Sequence, residues 1–204
     1  MIGFWNKSVY ITYFSAFISI VGLLLSIKLG NINYAFIGMI VASVCDMFDG
    51  KIARKLKERS ETEKDFGVEI DSLADIIAFI VVPALTLYLY GMNEIYHIII
   101  LALYCVCGVI RLAYFNVAMS DKNKAIEFYT GLPVPVSVLI FGLVWLIEKI
   151  VNFDPVLIYT ILVPITGYLH ISKIRIKKFT GNWYYVTVTI LALIGVILGI
   201  FILK

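Results

Sequence analysis

The sequence predicts an all-α integral membrane protein: a polytopic helical bundle of six core transmembrane helices plus about one more, in a single domain over residues 1–204. Three observations predict it. The chain is 61% hydrophobic and 15% charged, against about 45–50% and about 25% for a soluble domain, and its mean hydropathy is +0.96. A soluble fold of this size cannot hide that much apolar surface, because roughly half of its accessible area must still face water. Apolar residues also fall into seven runs, most near the ~20-residue length that crosses the hydrocarbon core. Finally, Lys and Arg concentrate on alternate connecting segments. Disorder, a disulfide scaffold and a soluble nucleic-acid binder are excluded, and a net charge of +3 is too small to argue for nucleic acid.

Residues 1–9, with Phe4 and Trp5, read as a short N-terminal juxtamembrane segment. No small-residue cleavage site follows the first apolar run, so that run is expected to be retained. The runs are 10–29, 32–49, 68–90, 95–118, 133–147, 156–169 and 183–203. Their internal Gly and Pro are compatible with membrane helices. The second run ends on Asp46 and Asp49, and the third begins with Asp71 and Asp75. The fourth carries Arg111. A turn over 130–135, with Pro133 and Pro135 fixing its path, leads into the fifth. With the N-terminus in the cytoplasm, segments 1–9, 50–67, 119–132 and 170–182 hold thirteen of the seventeen basic residues. Lys28, Lys149 and Lys204 remain outside. Basic residues mark cytoplasmic loops, so the N-terminus is expected inside the cell. Lys173, Arg175, Lys177 and Lys178 form a basic run whose reading is topology plus attraction to anionic lipid. Cys45, Cys105 and Cys107 lie in apolar runs and read as packing residues. His97 and His170, near membrane boundaries, receive no site role.

Charges placed where hydrocarbon is expected are costly and mark function. Asp46 and Asp49 are spaced i,i+3, and Asp71 and Asp75 i,i+4, so each pair projects from one helical face. The two helices are consecutive, antiparallel and joined by a cytoplasmic loop, so packing their faces together forms one four-carboxylate cluster. Arg and Lys could neutralise it as a salt-bridge network. Hard divalent cations are the other solution, and a carboxylate-bridged pair of them is a common clamp for phosphoryl transfer. Gly50 and Ala53 leave the helix surface flat beside Asp46 and Asp49, and Arg54 can grip a pyrophosphate bidentately. Gly67 is expected to open the third helix.

Asp46-x-x-Asp49-Gly50-x-x-Ala53-Arg54, followed by Gly67-x-x-x-Asp71-x-x-x-Asp75, resembles the signature of the CDP-alcohol phosphotransferases, with eight fixed residues over thirty positions. The chain departs from that pattern in one place: twelve residues, 55–66, separate Arg54 from Gly67 where the family usually has eight. They read as a longer solvated loop, which costs little. The resemblance implies that Asp46, Asp49, Asp71 and Asp75 hold two divalent cations, Mg2+ or Mn2+. It also implies that Asp75 is catalytic as general base, metal ligand or both. Asp46, Gly50, Ala53, Arg54, Gly67 and Asp71 would bind CDP. The implied reaction is attack of an alcohol on the lipid-side phosphorus of a CDP-lipid, with CMP leaving.

Further stretches narrow the alcohol. Residues 66–75 look like the third helix of the membrane-spanning phosphatidylserine synthases, a branch of that family. Arg111-Leu-Ala-Tyr114-Phe-Asn116 resembles their Arg-Leu-Ala-Arg-Phe-Asn, with Tyr114 in place of the second Arg. Tyr129-Thr-Gly131-Leu-Pro133-Val-Pro135 is similar to their Gly-Leu-Pro-x-Pro loop. The expected substrates are therefore CDP-diacylglycerol or CDP-archaeol and L-serine, with Arg111 and Asn116 binding serine. The expected setting is the cell membrane, as a multi-pass protein with its active site facing the cytoplasm, and the resemblance adds a homodimer. Inositol phosphate or glycerol phosphate as acceptor would want several basic residues near Asp75, and the spans offer Arg111 alone. A divalent-cation or proton-coupled transporter also uses buried carboxylates, but the aspartates cluster toward one face and no inverted repeat is evident.

Overall fold

The computed structural model describes residues 3, 9–55, 60–119, 128–151, 153–177, 195–197 and 199. Among them are α1 (Tyr10–Leu29), α2 (Asn33–Lys55), α3 (Glu61–Asp75), a π-helical turn (Ile76–Val81), α4 (Val82–Leu89), α5 (Ile95–Met119), α6 (Val134–Glu148) and α7 (Pro155–Ile171). Two three-residue strands, β1 (Phe128–Thr130) and β2 (Arg175–Lys177), pair antiparallel, with Phe128 opposite Lys177 and Thr130 opposite Arg175. The expected N-terminal segment and the seventh run, 183–203, lie almost wholly outside the described residues.

α1 stops at Gly30, which takes the left-handed conformation (φ 62°) and returns its N–H to Ser26 O. A glycine in this position is the usual way to satisfy the last carbonyls of a helix. The inward face of α1 is a stripe of small or polar residues: Thr12, Ser15, Ser19, Gly22 and Ser26. Ser15 Oγ donates to Ala42 O of α2 at 3.1 Å. A Cβ on Gly22 would sit 2.7 Å from Tyr34 O and 3.0 Å from Gly38 Cα. Lipid gives little hydrophobic drive between helices, so close backbone approach through small residues supplies the packing. This contact sets α2 beside α1.

α3, the π turn and α4 form one continuous helix, Glu61–Leu89. With α1 and Ile95–Val117 of α5, it is one of three described helices long and apolar enough to cross a membrane; α6 and α7 are shorter and apolar. Phe17, Leu24, Leu103, Leu157 and Ile161 are exposed on the helix exteriors, as a lipid-facing surface requires. The core ties α2, α6 and α7 through aromatic rings. Phe36 stacks on Trp145 at 5.1 Å between centroids. Trp145 Nε1 donates to Asn33 Oδ1 at 3.0 Å, and the Tyr159 hydroxyl to Phe141 O at 2.8 Å. The polar ends of these buried rings are thus satisfied.

The structure corrects the expected α2–α3 junction. α2 continues past residue 49 to Lys55, and α3 begins at Glu61, well before residue 68. Ser60 is a capping box: its hydroxyl accepts from Glu63 N at 3.2 Å, while Glu63 Oε2 accepts from Ser60 N at 2.9 Å. Much of the extra length is therefore helix rather than loop, and Gly67 lies inside α3 instead of opening it. The β1–β2 ladder is an addition to the all-α expectation. Gly131 (φ 76°) donates to Ile174 O, and Leu132 N to Leu169 O, both at 2.9 Å. The turn before α6 is thereby strapped to the end of α7.

Gly22→Leu is expected to destabilise the protein by about 1–3 kcal/mol through overpacking against α2. Leu24→Ala, on the exposed face, should stay within about 0.5 kcal/mol. Thermal unfolding in detergent checks both.

Candidate active site

The four aspartates converge. On α2, Asp46 and Asp49 are one turn apart; on α3, Asp71 and Asp75 are one turn apart. The carboxyl of Asp49 meets that of Asp71, and the carboxyl of Asp46 meets that of Asp75, both within hydrogen-bonding reach. Residue number rises on one helix as it falls on the other, which is the register of antiparallel neighbours. Asp46, Asp49 and Asp71 each bring an oxygen within 4.8 Å of the other two. Asp49 is buried, at 7% exposure. The Thr12 hydroxyl of α1, also buried, donates to Asp49 Oδ2 at 3.1 Å.

Among the described residues, the ion pairs Lys64–Glu61 and Lys149–Glu148 lie away from this cluster. Two like charges about 4 Å apart repel by about 4 kcal/mol at an effective dielectric of about 20. The carboxylates therefore need protons or cations, and hard oxygen donors of this kind suit Mg2+, Mn2+ or Ca2+. The donor set fits a divalent-cation site.

The remaining expected residues take these places. Gly50, Ala53 and Arg54 continue α2 directly beyond Asp49; their side chains lie outside the described residues. Gly67 is one turn before Asp71 on α3. Arg111 is buried on α5, at 5% exposure, with its guanidinium 5.1 Å from the Phe115 ring centroid. Asn116 reaches α3, where its Oδ1 accepts from Ser72 Oγ at 2.8 Å; one lone pair of that amide oxygen is therefore already engaged. Lys173 and Arg175 are exposed. His97 and His170 are both buried, at 3% and 1% exposure, and the ring N–H of His170 at Nδ1 donates to Leu132 O at 2.8 Å. The three cysteines are free and half-buried.

Three features escaped the sequence reading. Thr12 is one; the polar stripe on α1 was its signal. Ser72 ties the residue after Asp71 to α5. The third is the π turn, which begins at Ile76 directly after Asp75, its N-terminal cap.

The chain matches the CDP-alcohol phosphatidyltransferase family over residues 5–176 and belongs to that family. It is 30% identical over 194 residues to the CDP-diacylglycerol–serine O-phosphatidyltransferase of Methanocaldococcus jannaschii, covering 94% of this chain and 87% of the relative. It is 33% identical over 150 residues to the enzyme of the same name from Saccharomyces cerevisiae, covering 69% of this chain and 53% of that protein. It is 39% identical over 116 residues to the archaetidylserine synthase of Methanothermobacter thermautotrophicus, covering 56% of this chain and 47% of the relative. The chain thus spans about half the length of the latter two relatives and most of the first.

Thr12→Val removes the buried donor to Asp49 while keeping the side chain's shape. It should cost about 1–3 kcal/mol of stability, measured by thermal unfolding in the presence of a chelator.

Proposed function

We propose that the chain transfers a phosphatidyl or archaetidyl group from a CDP-lipid to the hydroxyl of L-serine and releases CMP. It would be a phosphatidylserine synthase in the broad sense. The observation that carries this reading is the convergence of Asp46 and Asp49 with Asp71 and Asp75 on two facing helices. The names of the relatives support serine as acceptor. Arg111 supports it too: one buried guanidinium matches the single carboxylate of serine, whereas a phosphorylated acceptor calls for several basic groups.

In this reading the chain is a multi-pass protein of the cell membrane with a cytoplasmic N-terminus. Its six core spans and one more carry an active site open to the cytoplasm, and two copies form a homodimer. Asp46, Asp49, Asp71 and Asp75 would hold two divalent cations, Mg2+ or Mn2+; when bound, such ions would spread the charge of the diphosphate and of departing CMP. Gly50, Ala53 and Gly67 leave room for CDP against α2 and α3. Arg54, from the last turns of α2, grips its phosphates. Arg111 orients serine by its carboxylate, and Asn116 lies within the same α3–α5 seam to bind its ammonium group. Asp75 accepts the hydroxyl proton as serine's oxygen bonds to the lipid-side phosphorus. The bond from that phosphorus to the CMP oxygen breaks, and CMP leaves. Substrate tails remain in the bilayer throughout, so diacyl and ether lipids can share one headgroup site.

Purified protein with a CDP-lipid and Mg2+ or Mn2+ should release CMP with L-serine, and Asp75→Asn should slow this by about a hundredfold or more. CMP release with an inositol phosphate or glycerol phosphate, and none with serine, contradicts the serine assignment. No turnover with any acceptor contradicts the transferase reading and favours cation transport.

A further inference from the structure

We propose that Tyr104 is a positioning residue for Asp75, acting through the π turn that joins α3 to α4. The inference rests on the reading of Asp75 as general base.

Its origin is in the sequence. In an α-helix the Phe79 carbonyl would receive the N–H of residue 83. That residue is Pro83. Proline has no N–H, and its ring crowds this same carbonyl four residues back. The helix relieves the conflict by widening: Ile76–Val81 is π-helical, and Val82 N reaches back five residues to Ile77 O. π turns of this kind are rare and concentrate at functional sites. Here the turn starts immediately after Asp75, its N-terminal cap.

The Phe79 carbonyl is met from the neighbouring helix. The Tyr104 hydroxyl of α5 donates to Phe79 O at 2.8 Å and lies 2.9 Å from Ser137 Oγ of α6. The Ser137 hydroxyl has its own acceptor, donating to Val134 O at 2.7 Å, so the Tyr104 proton serves Phe79 O. Phe79 and Ser137 are fully buried and Tyr104 is 2% exposed, so water does not compete. A second contact from α5, Cys105 Sγ to Ile80 O at 3.9 Å, lies on the adjacent carbonyl. Tyr104 is itself held in place: its ring centroid is 5.6 Å from that of His170, and a Cβ on Gly167 would lie 3.5 Å from the Tyr104 Cα. Phe79 is one helical turn from Asp75, so any shift of its peptide unit is passed to the Asp75 backbone through a single turn. The hydroxyl of Tyr104 thus fixes the widened turn, and the turn fixes the direction of the Asp75 carboxylate relative to Asp46.

Tyr104→Phe tests this because it keeps the ring and removes only the hydroxyl. Tyr159→Phe is the control: it deletes an equally buried bond of the same length, to Phe141 O, away from the carboxylates. CMP release is measured with CDP-diacylglycerol, L-serine and Mn2+, and melting temperature is measured alongside. Tyr104→Phe should lower kcat about tenfold and leave KM for both substrates within about twofold. Tyr159→Phe should keep kcat within about twofold while melting lower by a comparable amount. Equal effects of the two variants on kcat, or none from Tyr104→Phe, overturn the proposal. If the wild-type protein turns over no CDP-lipid, the transferase reading fails, and amide hydrogen exchange decides the positioning separately. Faster exchange confined to residues 76–84 in Tyr104→Phe retains the capped turn, and unchanged exchange there overturns it.

Discussion

Four carboxylates held in one small volume between two facing helices are the constraint on which the rest of this structure depends. Their mutual repulsion pushes α2 and α3 apart unless protons or cations compensate it, and the pairing of Asp49 with Asp71 and Asp46 with Asp75 leaves little slack for either helix to slide. Something else must set the spacing of the two helices. On the α2 side it is the small-residue contact with α1, where Gly22 and Gly38 bring the backbones together and Thr12 reaches Asp49. The far end of α2 is anchored in the aromatic core by Phe36, stacked on Trp145. On the α3 side the ties are Ser72 to Asn116 and Phe79 to Tyr104, both running to α5. The cluster is thus gripped between two independently braced helices.

The bracing converges on α5. α5 contacts α3 through Asn116 and the π turn through Tyr104, and it packs against α7 where Gly167 faces Tyr104. α7 in turn receives the Gly131–Leu132 turn, which is closed by the β1–β2 ladder. Arg111 lies buried on the same helix as Tyr104 and Asn116. A chain of buried hydrogen bonds and close glycine contacts therefore runs from the carboxylates to the strapped turn before α6, with few side chains free to adjust. Such a pre-set arrangement suits a reaction that depends on placing an alcohol, a diphosphate and a base together.

Much of this was legible in the residues. The bounds of α1 and α5 follow their apolar runs, because both helices end close to the expected membrane edges. The i,i+3 and i,i+4 spacings of the aspartates, on helices adjacent in sequence, sufficed to place the cluster. The α2–α3 junction was less legible because hydropathy marks the edge of the lipid and not the end of a helix. Residues 61–67 are helical for a polar reason, the Ser60–Glu63 box with the Lys64–Glu61 pair. The β1–β2 ladder joins segments distant in the chain, and its register is set by the docking of the turn on α7. Pro83 was visible as a proline in a span, but whether such a helix kinks or widens depends on what lies beside it. Here that neighbour is Tyr104, whose position only the packing of α5 reveals.

Electron paramagnetic resonance of Mn2+ bound to the purified protein tests most directly whether the two helices share a divalent-cation site. Two Mn2+ per chain should bind and show the spin–spin coupling of ions a few ångströms apart, with the coupling lost in Asp71→Asn. A single isolated Mn2+ signal, or no binding above that of the Asp71→Asn protein, would contradict the account.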